Sequence, residues 1–134
     1  MKDQELLLMA ERARENAYAP YSHFLVGAAL LAADGRVFLG ANVENASFGA
    51  TSCAERSAIF AAISTGVRDF AAIAISGARE GERGTVCPPC GICRQVLSEF
   101  CGPEFRILLG NAENFREYTL PALLPHSFGD EVKA

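Results

Sequence analysis

Surplus positive charge is missing from this 134-residue chain: 12 Lys and Arg stand against 16 Asp and Glu, a net charge of −4. Proteins that grip polyanions neutralise phosphates with clustered Lys and Arg, so no nucleic-acid partner is expected. Long apolar runs are missing too, and no segment approaches the ~20 residues that span a bilayer, so no membrane partner is expected either. The opening Met1-Lys2-Asp3-Gln4-Glu5 is acidic and helix-like, without a signal-peptide pattern, and a cytoplasmic location is expected. There is no internal repeat, linker or low-complexity tract. With 50% of its residues hydrophobic, the chain can bury a substantial core as one domain, residues 1–134, without disulfide staples. Histidine is scarce. His23 and His126 read as surface or loop residues, and neither sits in an H-x-E pattern. Cysteine is not scarce: five in a chain of this kind favour metal binding or catalysis over a disulfide framework.

Residues 4–17 read as an amphipathic helix, with Leu7, Leu8, Ala10, Ala13 and Ala17 at helical spacings and a stop at Tyr18-Ala19-Pro20-Tyr21-Ser22. Phe24–Ala32 is an apolar run, Asp34-Gly35 a hairpin turn, and Arg36–Val43 the return strand. Thr51 and Ser52 introduce a helix that runs through Ile63 and stops at Gly66. Phe70–Ser76 is a strand, Cys90–Phe100 a helix set up by Pro89, Phe105–Leu109 a strand, and residues 115–124 a last helix. Helices alternating with strands after an opening hairpin predict an α/β sandwich around a mixed sheet.

Chemistry concentrates in Cys53-Ala54-Glu55 and Pro89-Cys90-Gly91-Ile92-Cys93. Three protein ligands leave the fourth tetrahedral position of a zinc ion for water, whereas four sulfurs close the site. A Cys with Glu two residues on, followed by P-C-x-x-C, is the arrangement of zinc-dependent nucleobase deaminases, in which the Glu moves protons. Cys53 and Cys90 fall in the first turns of two helices, where free amides and the dipole favour thiolate sulfur. Cys90 and Cys93, at i and i+3, share one helix face.

Each of these residues has a plainer explanation. The cysteines can be small core residues. Cys87-Pro88-Pro89-Cys90 is a second, overlapping C-x-x-C, but its two prolines forbid helical geometry between the sulfurs, so Cys87 is not expected on the metal. A thioredoxin-like redox role for that motif lacks the βαβ pattern that should precede it. Cys101, at a helix end, reads as packing. Ser52-Cys53-Ala54-Glu55 is also S-x-x-E, the capping box in which Glu55 merely returns to the Ser52 amide. Arg56 can be an ordinary solvated residue. Three thiolates and Zn²⁺ sum to −1, however, and an adjacent guanidinium that hydrogen-bonds the sulfurs restores electrophilicity. A structural zinc module for protein interaction would need a fourth ligand.

With Asn42-Val43-Glu44-Asn45-Ala46-Ser47-Phe48-Gly49 ahead of Cys53-Ala54-Glu55-Arg56, and Pro89-Cys90-Gly91-Ile92-Cys93-Arg94-Gln95-Val96 behind, the chain resembles the small, homotetrameric, all-cysteine cytidine deaminases. The resemblance implies a three-layer α/β/α sandwich around a five-stranded mixed sheet, and hydrolysis of cytidine and deoxycytidine to uridines and ammonia in pyrimidine salvage. It implies one Zn²⁺ per subunit on Cys53, Cys90 and Cys93, Glu55 as proton shuttle, Arg56 beside the ligands, Asn42 and Glu44 on the sugar, and Phe24 against the base. Ala54 joins the substrate-binding positions, and Phe128 is matched to an aromatic that reaches a neighbouring subunit's base pocket. Asn42 and Glu44, two apart at a strand end, share one face and offer an amide and a carboxylate to hydroxyls. Turn chemistry is the other account of that pair, and ordinary core packing the other account of Phe24. A blasticidin-S-type deaminase is the nearest alternative within the same fold, but Glu44 in N-V-E-N suits ribose recognition.

Overall fold

Leu6, Leu7 and Ala10 recur at helical spacing, and they are residues that helix α1 (Asp3–Ala13) buries. The computed structural model describes residues 1–130 and Val132; the expected unit of residues 1–134 also takes in Glu131, Lys133 and Ala134, which lie outside the described residues. Helix α1 is shorter than its pattern suggests. The chain tightens into one 3₁₀ turn at Arg14–Asn16, and Ala17 is extended. Tyr18 then bonds outward, donating its N–H to Asn42 O and accepting from Glu44 N–H.

Strand β1 (Phe24–Ala32) and strand β2 (Val37–Ala41) form the expected hairpin, pairing from Gly27 with Ala41 to Leu31 with Val37. Its turn uses Gly35 at φ 95°, a left-handed conformation that glycine adopts without penalty. Strand β3 (Phe70–Arg79) lies antiparallel to β1 and outruns the expected Phe70–Ser76. Strand β4 (Arg106–Gly110) lies parallel to β3.

The last expected helix is where the structure differs most. Phe115–Thr119 is strand β5, antiparallel to β4, and only Leu120–Leu123 is helical (α4). A tight turn decides this. Asn111 and Asn114 exchange backbone hydrogen bonds, while Asn111 Oδ1 accepts from the Glu113 and Asn114 amides. Asn side chains that bond their own backbone favour turns over helix. Arg106 then meets Glu117 across the pair at 2.8 Å. The resulting sheet has five strands in the order β2-β1-β3-β4-β5.

The central strands are buried on both faces and therefore read as continuous apolar runs. Ala29, Ala74 and Leu108 meet α1 on one side. Ala28, Leu30, Ile73, Ile75, Ile107 and Leu109 point to the other, where they pack against α2 (Ala54–Ser64) and α3 (Gly91–Phe100). Three layers follow, as the resemblance implies. Gly40 on β2 is what lets the first turn of α2 lie so close: a Cβ there would run into the backbone of Ala54 and Ala58. Bare backbone at Gly40 thus sets the depth at which Cys53 and Glu55 enter the site. Among the described residues, no helix is long and apolar enough to cross a membrane.

Candidate active site

Helices α2 and α3 aim their N-termini at one another, and each is capped by a cysteine. Cys53 is the N-cap of α2 and Cys90 the N-cap of α3, where its sulfur accepts from the Cys93 amide at 3.5 Å. Cys93, in the first turn of α3, is fully buried. The three sulfurs lie within 4.8 Å of one another, the group among the described residues able to hold a metal ion. A tetrahedral ion with Zn–S bonds of about 2.3 Å separates its sulfurs by about 3.8 Å. Cys53 Sγ and Cys90 Sγ are 3.7 Å apart, which fits.

Electrostatics point the same way. Hydrogen bonds from Cys93, Arg56 and Cys90 outweigh burial and hold the Cys53 thiol down at about 5. Cys93 is pushed up correspondingly, because the proton it donates to Cys53 cannot leave cheaply, and because the site is buried. Sulfurs this close cannot all ionise without a cation between them. Arg56 supplies one positive charge, with Nη2 donating to Cys53 Sγ at 3.3 Å and to Thr51 O at 3.4 Å. Arg56 thus lies against the Cys53 sulfur.

Glu55 is 4% exposed, and burial raises its carboxyl to about 7, against hydrogen bonds from its own amide and from Cys93. The capping-box explanation fails on register. The N-cap is Cys53 rather than Ser52, so the third helical residue is Arg56, and the Ser52 hydroxyl turns to Ser57 Oγ and Cys53 O. A buried carboxyl near neutrality beside three thiols is suited to accept and return a proton.

These groups open into a cleft of about 260 Å³. Asn42, Glu44, Ala54 and Glu55 line it, as do Cys53 and Cys90. Asn42 spends part of its amide on β1, accepting from Val26 N–H at 2.9 Å and donating to Phe24 O at 2.8 Å. Glu44 is fixed by the Tyr21 and Ser22 amides and by the Ser22 hydroxyl, whose bond leads in holding its carboxyl below the usual range. Phe24 stands at the head of β1, its ring against Gly77 with Cys87 beside it, where a Cβ at Gly77 would meet both side chains. Cys87 also lines the cleft, outside the three-sulfur group, with its thiol pushed up to about 11 chiefly by burial. Cys101 caps the far end of α3 and packs on the core.

Phe128, like Phe24, is not among the residues that line the cleft. It is 62% exposed, and its carbonyl accepts from Gln95 Nε2 on α3 at 2.7 Å. Val26 and Thr51 line the cleft without having been expected. Val26 had a signal in the sequence, since it follows Phe24 by two and so shares its face of β1.

The profile of the cytidine and deoxycytidylate deaminase zinc-binding region matches residues 1–108. The chain belongs to this family. It is 49% identical over 132 residues to the cytidine deaminase of Halalkalibacterium halodurans, covering 98% of this chain and 97% of that one. Among solved structures it is similar to the cytidine deaminase of Burkholderia pseudomallei, with TM-score 0.87 at 47% identity over 96% of this chain and all of that one. The cytidine deaminase of Mycobacterium tuberculosis gives TM-score 0.82 at 41% identity, covering 96% and 98%. The family is a zinc-binding one, and the three thiols at the helix N-termini form the matching metal site.

Proposed function

We propose that the protein is a zinc-dependent cytidine deaminase that hydrolyses cytidine and deoxycytidine to uridine and deoxyuridine with release of ammonia, in pyrimidine salvage. The observation that carries this is the buried Glu55 carboxyl beside the Cys53, Cys90 and Cys93 thiols, facing a cleft of nucleoside scale. Cys53, Cys90 and Cys93 hold one zinc per chain, and Arg56 offsets the excess negative charge of the thiolates. Zinc, when bound, supplies the Lewis acidity that activates water for attack on an electrophilic ring carbon.

The remaining chemistry belongs to the chain. Glu55 takes one proton from the attacking water and delivers it to N3 of the base, then takes the second from the hydroxyl now on the ring carbon and passes it to the departing amine as the carbonyl forms and the C–N bond breaks. Burial, which raises the Glu55 carboxyl above the usual carboxylate range, favours a group that both takes and returns a proton. Asn42 and Glu44 hold the sugar, Phe24 lies against the base, and Ala54 lines the wall beside it. One deaminase domain spans residues 1–134.

Cytidine turnover, followed as loss of absorbance with ammonia released, tests the reading. Free cytosine is the informative comparison. A site built to hydrogen-bond hydroxyls leaves buried polar groups unpaired when the sugar is missing, so cytosine is expected to be a very poor substrate. Equal efficiency on cytosine and cytidine would remove Asn42 and Glu44 from the sugar.

We propose further that the chain works as a homotetramer in the cytoplasm on free nucleosides, without a nucleic-acid or membrane partner. The net charge of −4 supports a small ligand over a polyanion. Phe128, exposed and outside the lining of its own cleft, supports an assembly in which it reaches a neighbour's. Truncation before Ser127 is expected to raise KM. A fully active monomer of the intact chain, seen by light scattering at assay concentration, would sink the assembly.

A further inference from the structure

Ser22 sits between the two elements that would face a nucleoside. Its hydroxyl donates to Glu44 Oε2 at 2.5 Å and accepts the Phe24 N–H at 3.1 Å. A hydroxyl has one proton. With Phe24 occupying an acceptor position, that proton is directed at Glu44. The Tyr21 and Ser22 amides add two bonds to Glu44 Oε1, at 2.9 and 3.1 Å. A carboxylate offers about four lone-pair positions. Three are filled from within the chain, and the position left open, on Oε2, suits one ligand hydroxyl.

The backbone is bent to make this possible. His23, between Ser22 and Phe24, has φ 57°, in the left-handed region that only a few per cent of non-glycine residues occupy, histidine more readily than most. It is held there from both sides: its N–H donates to Ala19 O at 2.9 Å and its carbonyl accepts from Glu80 N–H at 2.8 Å. Such conformations persist where the surroundings over-determine them, and they gather at functional sites. Here the bend turns the Phe24 amide back onto the Ser22 hydroxyl. Glu44, past the end of β2, and Phe24, at the head of β1, are thereby joined through one oxygen atom.

We propose that Ser22 is a positioning residue whose hydroxyl locks the Glu44 carboxylate, in register with Phe24, in the geometry that accepts a hydrogen bond from a nucleoside sugar. The proposal rests on the reading of Glu44 as a sugar contact. Ser22 touches no reacting atom, so its effect falls on KM rather than on kcat. The test is a double-mutant cycle on cytidine. Ser22→Ala is expected to raise KM about tenfold, the scale of one hydrogen bond to a charged group, while kcat moves less than about twofold and the melting temperature stays near the parent's. Ser22→Thr, which keeps the hydroxyl, is expected to restore KM. In a Glu44→Ala background, Ser22→Ala is expected to add nothing further, because the group it orients has gone. The proposal is overturned if Ser22→Ala leaves KM unchanged while Glu44→Ala raises it, or if the two effects simply multiply. Should Glu44→Ala itself leave KM unchanged, the sugar contact is wrong, and the Ser22 proposal falls with it for that separate reason.

Discussion

Glu55→Gln is expected to fold, keep its zinc and melt near the parent protein, yet lose on the order of 10²–10⁴-fold in turnover, the scale of a general acid/base. Gln preserves the shape and the acceptor oxygen. The bond that Glu55 receives from its own amide finds an acceptor in Gln as well. What disappears is the exchangeable proton. Burial already disfavours the charged carboxylate here, so a neutral amide at this 4%-exposed position does not add a desolvation cost. Stability and catalysis should separate cleanly. Zinc content, the melting curve and single-turnover rates on cytidine, measured on one preparation, make the comparison. Turnover within a few-fold of the parent, with zinc in place, would leave the deamination mechanism without its proton carrier.

Much of the site is local in sequence, and that part was legible. Cys53, Glu55 and Arg56 fall within four consecutive residues, and Cys90 and Cys93 within one helical turn, so spacing alone brings their side chains together. What spacing left open was the helix register at Ser52, and with it the difference between a capping box and an unclaimed carboxylate. One residue decides it: α2 begins at Ala54, with Cys53 as its cap. The contacts that shape the cleft are non-local. Val26 arrives from β1, far ahead of both cysteine motifs in sequence, and the bond from Ser22 to Glu44 spans 22 positions. No periodicity announces such pairs. The fifth strand failed to read as a strand for another reason. Phe115-Arg116-Glu117-Tyr118-Thr119 is half polar, as an edge strand with one wet face should be, and its pairing is set by the Asn111–Asn114 turn ahead of it. The Phe128 match falls on a residue outside the cleft lining, held through its carbonyl by Gln95.

Serine at Cys53, Cys90 or Cys93 is expected to abolish stoichiometric zinc binding, whereas Cys87→Ser should retain about one zinc per chain, as a site with three protein ligands requires. The thiolate is the metal ligand, and a serine hydroxyl near neutral pH stays protonated and binds zinc weakly. Cys90 gives the sharpest contrast. Its side chain is exposed, so zinc loss there cannot be blamed on a damaged core, whereas fully buried Cys93 exposes any variant to that objection. Cys87 is only three residues from Cys90 but turns its sulfur against Gly77 and the Phe24 ring instead of toward the other thiols. Its thiol, held neutral by burial at about 11, can exchange for a hydroxyl without losing a charge. Because zinc binds the folded chain through two helix N-termini, its loss should also lower the melting temperature, and the three ligand variants should melt like the chelated parent. Metal analysis and melting curves read this out without any activity assay. If Cys87→Ser loses zinc as completely as Cys90→Ser, the site is a closed four-sulfur one with no position left for water, and hydrolysis at that metal is no longer tenable.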